Sequence, residues 1–372
     1  MTNKRRLILL SSITAAPAFA APFLAIGDNA ELFVTARTEA RYEDNLTLSS
    51  NDEESDEIFE FVPGAEINFG KNSITKGSLV AYERFTAYST NPELNDALAN
   101  VLFKTNYDGA KLKLATNASF RESSQNSRDA RSAVLVRRNY TNAGVDGEYA
   151  LTEKSKFALG AAYADTDYKT TGFTDQESYS VPANYYFAIS PKVDLSAGLT
   201  YRETDVKAAG ADSEDIYYNV GARGEFTSKL TGSFSVGLNT REYDNGNDES
   251  GLGLKAGLSY EYSPKTTLSL DLSRDFETGA DASGIETSSV TLGARTSLTA
   301  ALSANAALTY QELDYLSNNR SDDYVVASLG VSYSYNQNLS FDAGYNFSDN
   351  DSDAAGASFT ANVFTLGANF RY

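Results

Sequence analysis

From about residue 30 to the end of the chain, apolar and polar residues alternate in runs separated by short polar turns. Leu252, Leu254, Ala256, Leu258, Tyr260 and Tyr262 interleave with Gly253, Lys255, Gly257, Ser259 and Glu261. Leu339, Phe341, Ala343, Tyr345 and Phe347 interleave in the same way with Ser340, Asp342, Gly344 and Asn346. Residues two apart share one face of a strand, whereas a helix needs apolar residues at i, i+3 and i+4. The pattern therefore predicts strands with one apolar face and one polar face.

The runs repeat. Units end near Phe69, Tyr107, Leu151, Ile189, Phe226, Tyr262, Leu298, Tyr335 and Tyr372, at intervals of 36 to 38 residues with one of 44. The first unit starts near Ala30. Each is long enough for two strands of about 10 to 13 residues, a short turn and a longer loop. Nine such hairpins predict an all-β, transmembrane, antiparallel up-and-down barrel of about 18 strands, with both ends on one side. Short turns are expected at 151–156, 190–194, 227–230, 263–266, 299–303 and 336–338. A propeller blade packs four shorter strands into about 40 to 50 residues, and solenoid rungs usually repeat at shorter periods, so both fit less well. Closure has a physical reason: an open sheet in lipid would leave unpaired backbone groups at its edges, each costing several kcal/mol. Phe69, Tyr107, Tyr149, Phe226, Tyr262, Tyr335, Phe370 and Tyr372 recur at the short-turn end and would form an interfacial girdle.

The first 20 residues depart from this pattern. Lys4, Arg5 and Arg6 precede an apolar run and an Ala18-Phe19-Ala20 site, which reads as a secretory signal peptide over 1–20 with the barrel over 21–372. Composition narrows the chemistry. The chain has no Cys and no His, which rules out Ser-His-Asp triads, Cys-His pairs and HExxH zinc sites. No cofactor is implied and no enzyme activity is expected. The net charge is −19, and removing residues 1–20 takes away three cations and no acid, leaving −22. Nucleic acid is not a plausible partner for that surface.

The alternation assigns an inward set. Arg37, Glu39, Arg41, Arg202, Arg223, Arg241, Arg295 and Arg371 are the candidate pore-lining residues. Glu66, Lys104, Lys113, Arg121, Asp146, Glu148, Glu225, Lys255, Glu261, Asp271 and Asp342 share that face. The signs are mixed, which argues for pairing across strands rather than a row of one charge. Much acid falls in predicted loops: Asp52, Glu53, Glu54, Asp56 and Glu57, then Asp212, Glu214 and Asp215, then Asp349, Asp351 and Asp353. These loops could be simply solvated, could enrich cations at the mouth, or could bind divalent cations that bridge to lipopolysaccharide. The stretch 121–138 carries Arg121, Arg128, Arg131, Arg137 and Arg138 and is expected to hold a long loop that folds towards the lumen and narrows it.

Two motifs carry a resemblance. The final Thr365-Leu366-Gly367-Ala368-Asn369-Phe370-Arg371-Tyr372 resembles the C-terminal signal read by the outer-membrane assembly machinery, with related copies at 255–262 and 328–335. Arg37-x-Glu39-x-Arg41-Tyr42-x-Asp44-Asn45-Leu46 and Leu135-Val136-Arg137-Arg138-Asn139-Tyr140, with the Tyr/Phe-rich hairpin ends, resemble the putative β-barrel porin 2 type of outer-membrane protein. That group includes proteins encoded near exopolysaccharide genes. The resemblance implies a barrel in the outer membrane of a two-membraned bacterium, in contact with its lipid and lipopolysaccharide. It assigns no functional residue. The expected function is a water-filled pore for passive diffusion of small solutes. The alternatives are a barrel for exopolysaccharide export or for surface anchoring.

Overall fold

The computed structural model describes residues 21–317 and 320–372. The expected signal peptide lies outside the described residues. The strands are β1 (Leu24–Ile26), β2 (Ala30–Glu43), β3 (Asp56–Phe69), β4 (Thr75–Tyr88), β5 (Asp96–Asp108), β6 (Leu112–Ser124), β7 (Arg137–Ala150), β8 (Ser155–Tyr168) and β9 (Gln176–Ala188). They continue as β10 (Val193–Val206), β11 (Ser213–Glu225), β12 (Leu230–Tyr243), β13 (Asp248–Ser263) and β14 (Thr266–Thr278). The last are β15 (Gly284–Ser297), β16 (Leu302–Tyr315), β17 (Ser321–Ser334), β18 (Leu339–Ser352) and β19 (Phe359–Arg371). Each strand from β2 to β19 pairs antiparallel with its neighbours in sequence, and β19 returns to pair with β2 from Val363↔Glu43 to Arg371↔Thr35. The sheet is thus a closed barrel of 18 strands, as the repeat predicts. Strands begin or end within one residue of every unit end named above.

The short β1 was not anticipated. It pairs with Ala30, Glu31 and Leu32 at the start of β2, just below the point where Tyr372 exchanges backbone hydrogen bonds with Val34. It continues the pairing of β2 beyond the residues that β19 covers, and Phe23 meets the Tyr372 ring edge-on.

The two faces differ as the alternation requires. Leu79, Val101, Leu159, Leu199, Val220, Leu238, Leu292 and Leu329 lie exposed on the outside. In water such a surface would be costly, and in a bilayer it is the lipid contact. Tyr149, Tyr262, Tyr335, Phe370 and Tyr372 stand exposed near the short-turn end. A second outward set, Tyr42, Phe59, Phe61, Phe85, Tyr179, Tyr218 and Tyr310, lies near the other end, and the repeat reading missed it.

The barrel strands run 13 to 16 residues, beyond the 9 to 11 or so that a tilted transmembrane strand needs. The strands therefore take in positions at the long-loop end that the sequence reading gave to loops. This corrects the loop assignment of several acids. Asp56 and Glu57 open β3, Glu214 and Asp215 lie in β11, and Asp349 and Asp351 lie in β18. Asp56 is buried, and its carboxylate accepts from the backbone N–H groups of Ser89, Thr90 and Asn91 at 3.0 Å. It shapes a loop rather than charging a surface.

Candidate functional site: the barrel interior and its mouth

Short turns mark the periplasmic end of such barrels and longer loops the outer end. Between them the inward side chains form several networks, three of which hold candidate pore-lining residues. The first closes the barrel. Arg37 on β2 donates to Asp342 on β18 at 2.7 and 2.9 Å and to Asn369 on β19 at 2.6 Å, and also pairs with Glu39. The Arg37–Asp342 pair passes over β19 at Gly367. A Cβ there would sit 2.6 Å from the guanidinium and 2.8 Å from the carboxylate, so a side chain at this position would push the crossing pair aside. Arg371 grips Glu66 on β3 with two bonds of 3.0 Å and lies over the Phe33 ring. Nearer the mouth, Arg41 pairs with Glu43 and Glu60, and Arg84 also reaches Glu60.

The second network spans β7 to β11. Arg223 pairs with Glu148 at 2.7 Å and Asp194 at 3.1 Å, Lys156 pairs with Asp194 at 2.9 Å, and Arg223 lies 3.4 Å from the centre of the Tyr186 ring. The third spans β10 to β14. Asp215 accepts from Arg241 at 2.6 and 2.9 Å and from Arg202 at 2.6 Å. Arg202, Asn239 and Lys255 then converge on Asp275. Arg241 and Asp215 are almost wholly enclosed, at 1% and 2% exposure. Of the candidate pore-lining arginines, Arg295 on β15 is the one without an ion pair among the described residues. The other six are held in pairs, and Glu39 with them.

The mouth is occupied. Residues 125–136, between β6 and β7, turn on reciprocal Ser127–Ala130 backbone bonds of 3.0 and 3.1 Å. Ala130 and Val136 pack on Ala280, in the turn between β14 and β15, with Tyr168 and Phe173 beside them. The β14–β15 turn lies eight strands away on a ring of 18, which is the opposite wall. Arg128 reaches the Tyr324 ring on β17, and Arg131 reaches the Phe359 ring on β19 and donates to the Leu48 carbonyl at 3.2 Å. Leu135 closes a second cluster with Leu46, Ile58 and Tyr88. The loop therefore crosses the lumen as expected, and narrows it. Behind this layer the interior opens: Lys104, Lys113, Asp146, Glu261 and Asp271 are exposed towards the short-turn end.

The geometry also accounts for the two motifs. In the first, Arg37, Glu39 and Arg41 face inward while Tyr42 faces out. Asp44 accepts from Asn362 across the seam, Asn45 ties Ser49 to Thr360, and Leu46 is buried under the mouth. In the second, Leu135 and Val136 anchor the loop, and Arg138 donates to Ser127 and faces Tyr140. Among the described residues no group of three or more acids is arranged to hold a metal ion.

A family model for the putative β-barrel porin 2 group matches residues 32–372, nearly the whole chain. The chain belongs to this family. It is a porin-like protein of the outer membrane. No curated protein matches it in sequence. Among solved structures, a BenF-like porin from Pseudomonas fluorescens superposes with a TM-score of 0.51 at 10% identity, covering 92% of this chain and 99% of that one. OpdK of Pseudomonas aeruginosa, solved with vanillate, gives 0.50 at 11% identity over 92% and 99%. The FrpB iron transporter of Neisseria meningitidis gives 0.50 at 8% over 93% and 82%. At these identities the likeness concerns the fold.

Proposed function

We propose that this family member is a passive, water-filled pore for small polar solutes, narrowed at its outer mouth. The observation that carries the reading is the 18-strand closure around a polar inward face. Barrels of 16 to 18 strands are too wide for side chains to fill and leave an aqueous channel. The loop of residues 125–136 sets the narrowest passage, so size exclusion is decided at the mouth rather than along the barrel. An ion-paired wall suits this role, because charges already neutralised by strand neighbours hold water without trapping a passing ion.

The test is single-channel conductance of the barrel in a planar bilayer, refolded from detergent. Discrete, steady current steps are expected. A correctly folded barrel without current would overturn the reading and favour a partner-dependent role in polysaccharide export or surface anchoring.

A further inference from the structure

The inward arginines divide into two classes. Arg37, Arg41, Arg84, Arg202, Arg223, Arg241 and Arg371 each have a carboxylate within ion-pair distance. Among the described residues, Arg121, Arg128, Arg131 and Arg138 have none. Arg295, near the short-turn end of β15, has none either; the other four belong to the loop that crosses the lumen or to the strands that launch it.

The second class is held by rings and neutral acceptors instead. Arg121 and Arg138 both face the Tyr140 ring, at 4.3 and 5.4 Å. Arg128 stacks on Tyr324, and Arg131 on Phe359. Most nearby carboxylates are engaged elsewhere: Glu60 serves Arg41 and Arg84, and Asp322 serves Arg320. Asp129 reaches Arg138 only through the Ser127 hydroxyl, which accepts from Arg138 at 2.9 Å and donates to Asp129 at 2.7 Å. Arg138 is 4% exposed and its Nε has no hydrogen-bond acceptor, and a buried Nη1 of Arg128 is also unmet. Burial, and then the neighbouring Arg320, lower the proton affinity of Arg131. Buried cations left uncompensated are costly, and an arriving anion would remove that cost. Guanidinium groups match the paired oxygens of an oxyanion geometrically as well as by charge.

We propose that Arg121, Arg128, Arg131 and Arg138 form an anion site at the constriction, which makes the pore prefer solutes carrying an oxyanion group such as carboxylate, sulfate or phosphate. The preference among transported solutes rests on the pore reading, and the binding site does not. The acidic outer surface does not cancel it. Charges separated by more than about 8 Å are largely screened at physiological salt, so the groups at the narrowest point decide which ion passes. The competing account is that these arginines only clip the loop to aromatic side chains of the wall.

Two measurements separate the accounts. The first is the zero-current potential of the open barrel in a potassium chloride gradient. The full chain should show chloride preference, and a variant combining Arg121→Gln with Arg131→Gln should move towards potassium, while Arg295→Gln should leave the sign unchanged. The second is calorimetric titration of the detergent-solubilised barrel with sulfate, which needs no current. Binding should weaken about tenfold or more in the double variant, and Arg121→Lys with Arg131→Lys should retain part of it. Current without ion preference, together with no sulfate heat, would overturn the site and leave the pore intact. A silent barrel that binds sulfate would do the reverse.

Discussion

Arg241 is enclosed to 1% exposure, yet three of its hydrogen bonds are well made: two to Asp215 and one of 2.8 Å to the Glu277 carbonyl. Asp215 in turn also holds Arg202. Removing one partner from such a pair leaves an enclosed charge without compensation, which costs about 3 to 5 kcal/mol. Asp215→Asn is therefore expected to lower the stability of the refolded barrel by that order, read from urea unfolding followed by circular dichroism. Adding Arg241→Met should recover part of the loss, because the stranded cation is then gone. If the single variant unfolds like the parent chain, the network contributes nothing to stability. The alternation showed that Arg202 and Arg241 face inward. It could not show that they share one carboxylate, because the third residue sits on the strand between theirs and reads locally as loop acid.

At the scale of elements, the seam between β19 and β2 is where the barrel differs from a repeating sheet. The other junctions from β2 to β19 join strands linked by a turn or loop, whereas this one joins strands more than 300 residues apart in the chain. It has correspondingly more side-chain fastening, with Arg37–Asp342 crossing β19 and Arg371–Glu66 crossing β2. Gly367 was legible in the sequence as part of a C-terminal motif. The structure adds a local reason for it, since any side chain would collide with the crossing pair. Gly367→Leu is expected to destabilise closure by about 3 kcal/mol through loss of that pair. The measurement is the temperature at which the folded, compact band converts to the unfolded one on a denaturing gel. Asp342→Asn should lower the same temperature while leaving the backbone free of a clash. An unchanged conversion temperature in both would remove the pair from the account of closure.

For the whole molecule, the decisive feature is that the β6–β7 loop, and the β8–β9 loop with it, meets the β14–β15 turn across the mouth. Ala130 and Val136 pack on Ala280, so the loop is fixed at its launch point and at its far end. A variant lacking residues 126–135 should conduct more per channel and keep its fold, because each barrel strand stays paired without that segment. Conductance equal to that of the full chain would mean that the loop does not set the passage. The comparison belongs at this scale because deletion changes the path of every solute, whereas the arginine substitutions change only the sign of charge that the path favours.

What the sequence determined by itself follows from short-range physics. Period-two alternation set the strands and their two faces, the repeat of about 37 residues set the number of hairpins, and closure followed from the cost of an open edge in lipid. These signals lie within one or two strands, so they survive without knowledge of the partner. Three things depended on the tertiary structure. The pairing of inward charges required knowing which strands are neighbours two or three places away, and it divided an apparently mixed set into compensated and uncompensated arginines. The burial of Asp56 and Asp215 required knowing what folds over them, the backbone of residues 89–91 on the first and Arg202 and Arg241 on the second. The place of the short β1, paired with Ala30, Glu31 and Leu32 beside the β19–β2 seam, follows from the register of the closed sheet rather than from its own three residues.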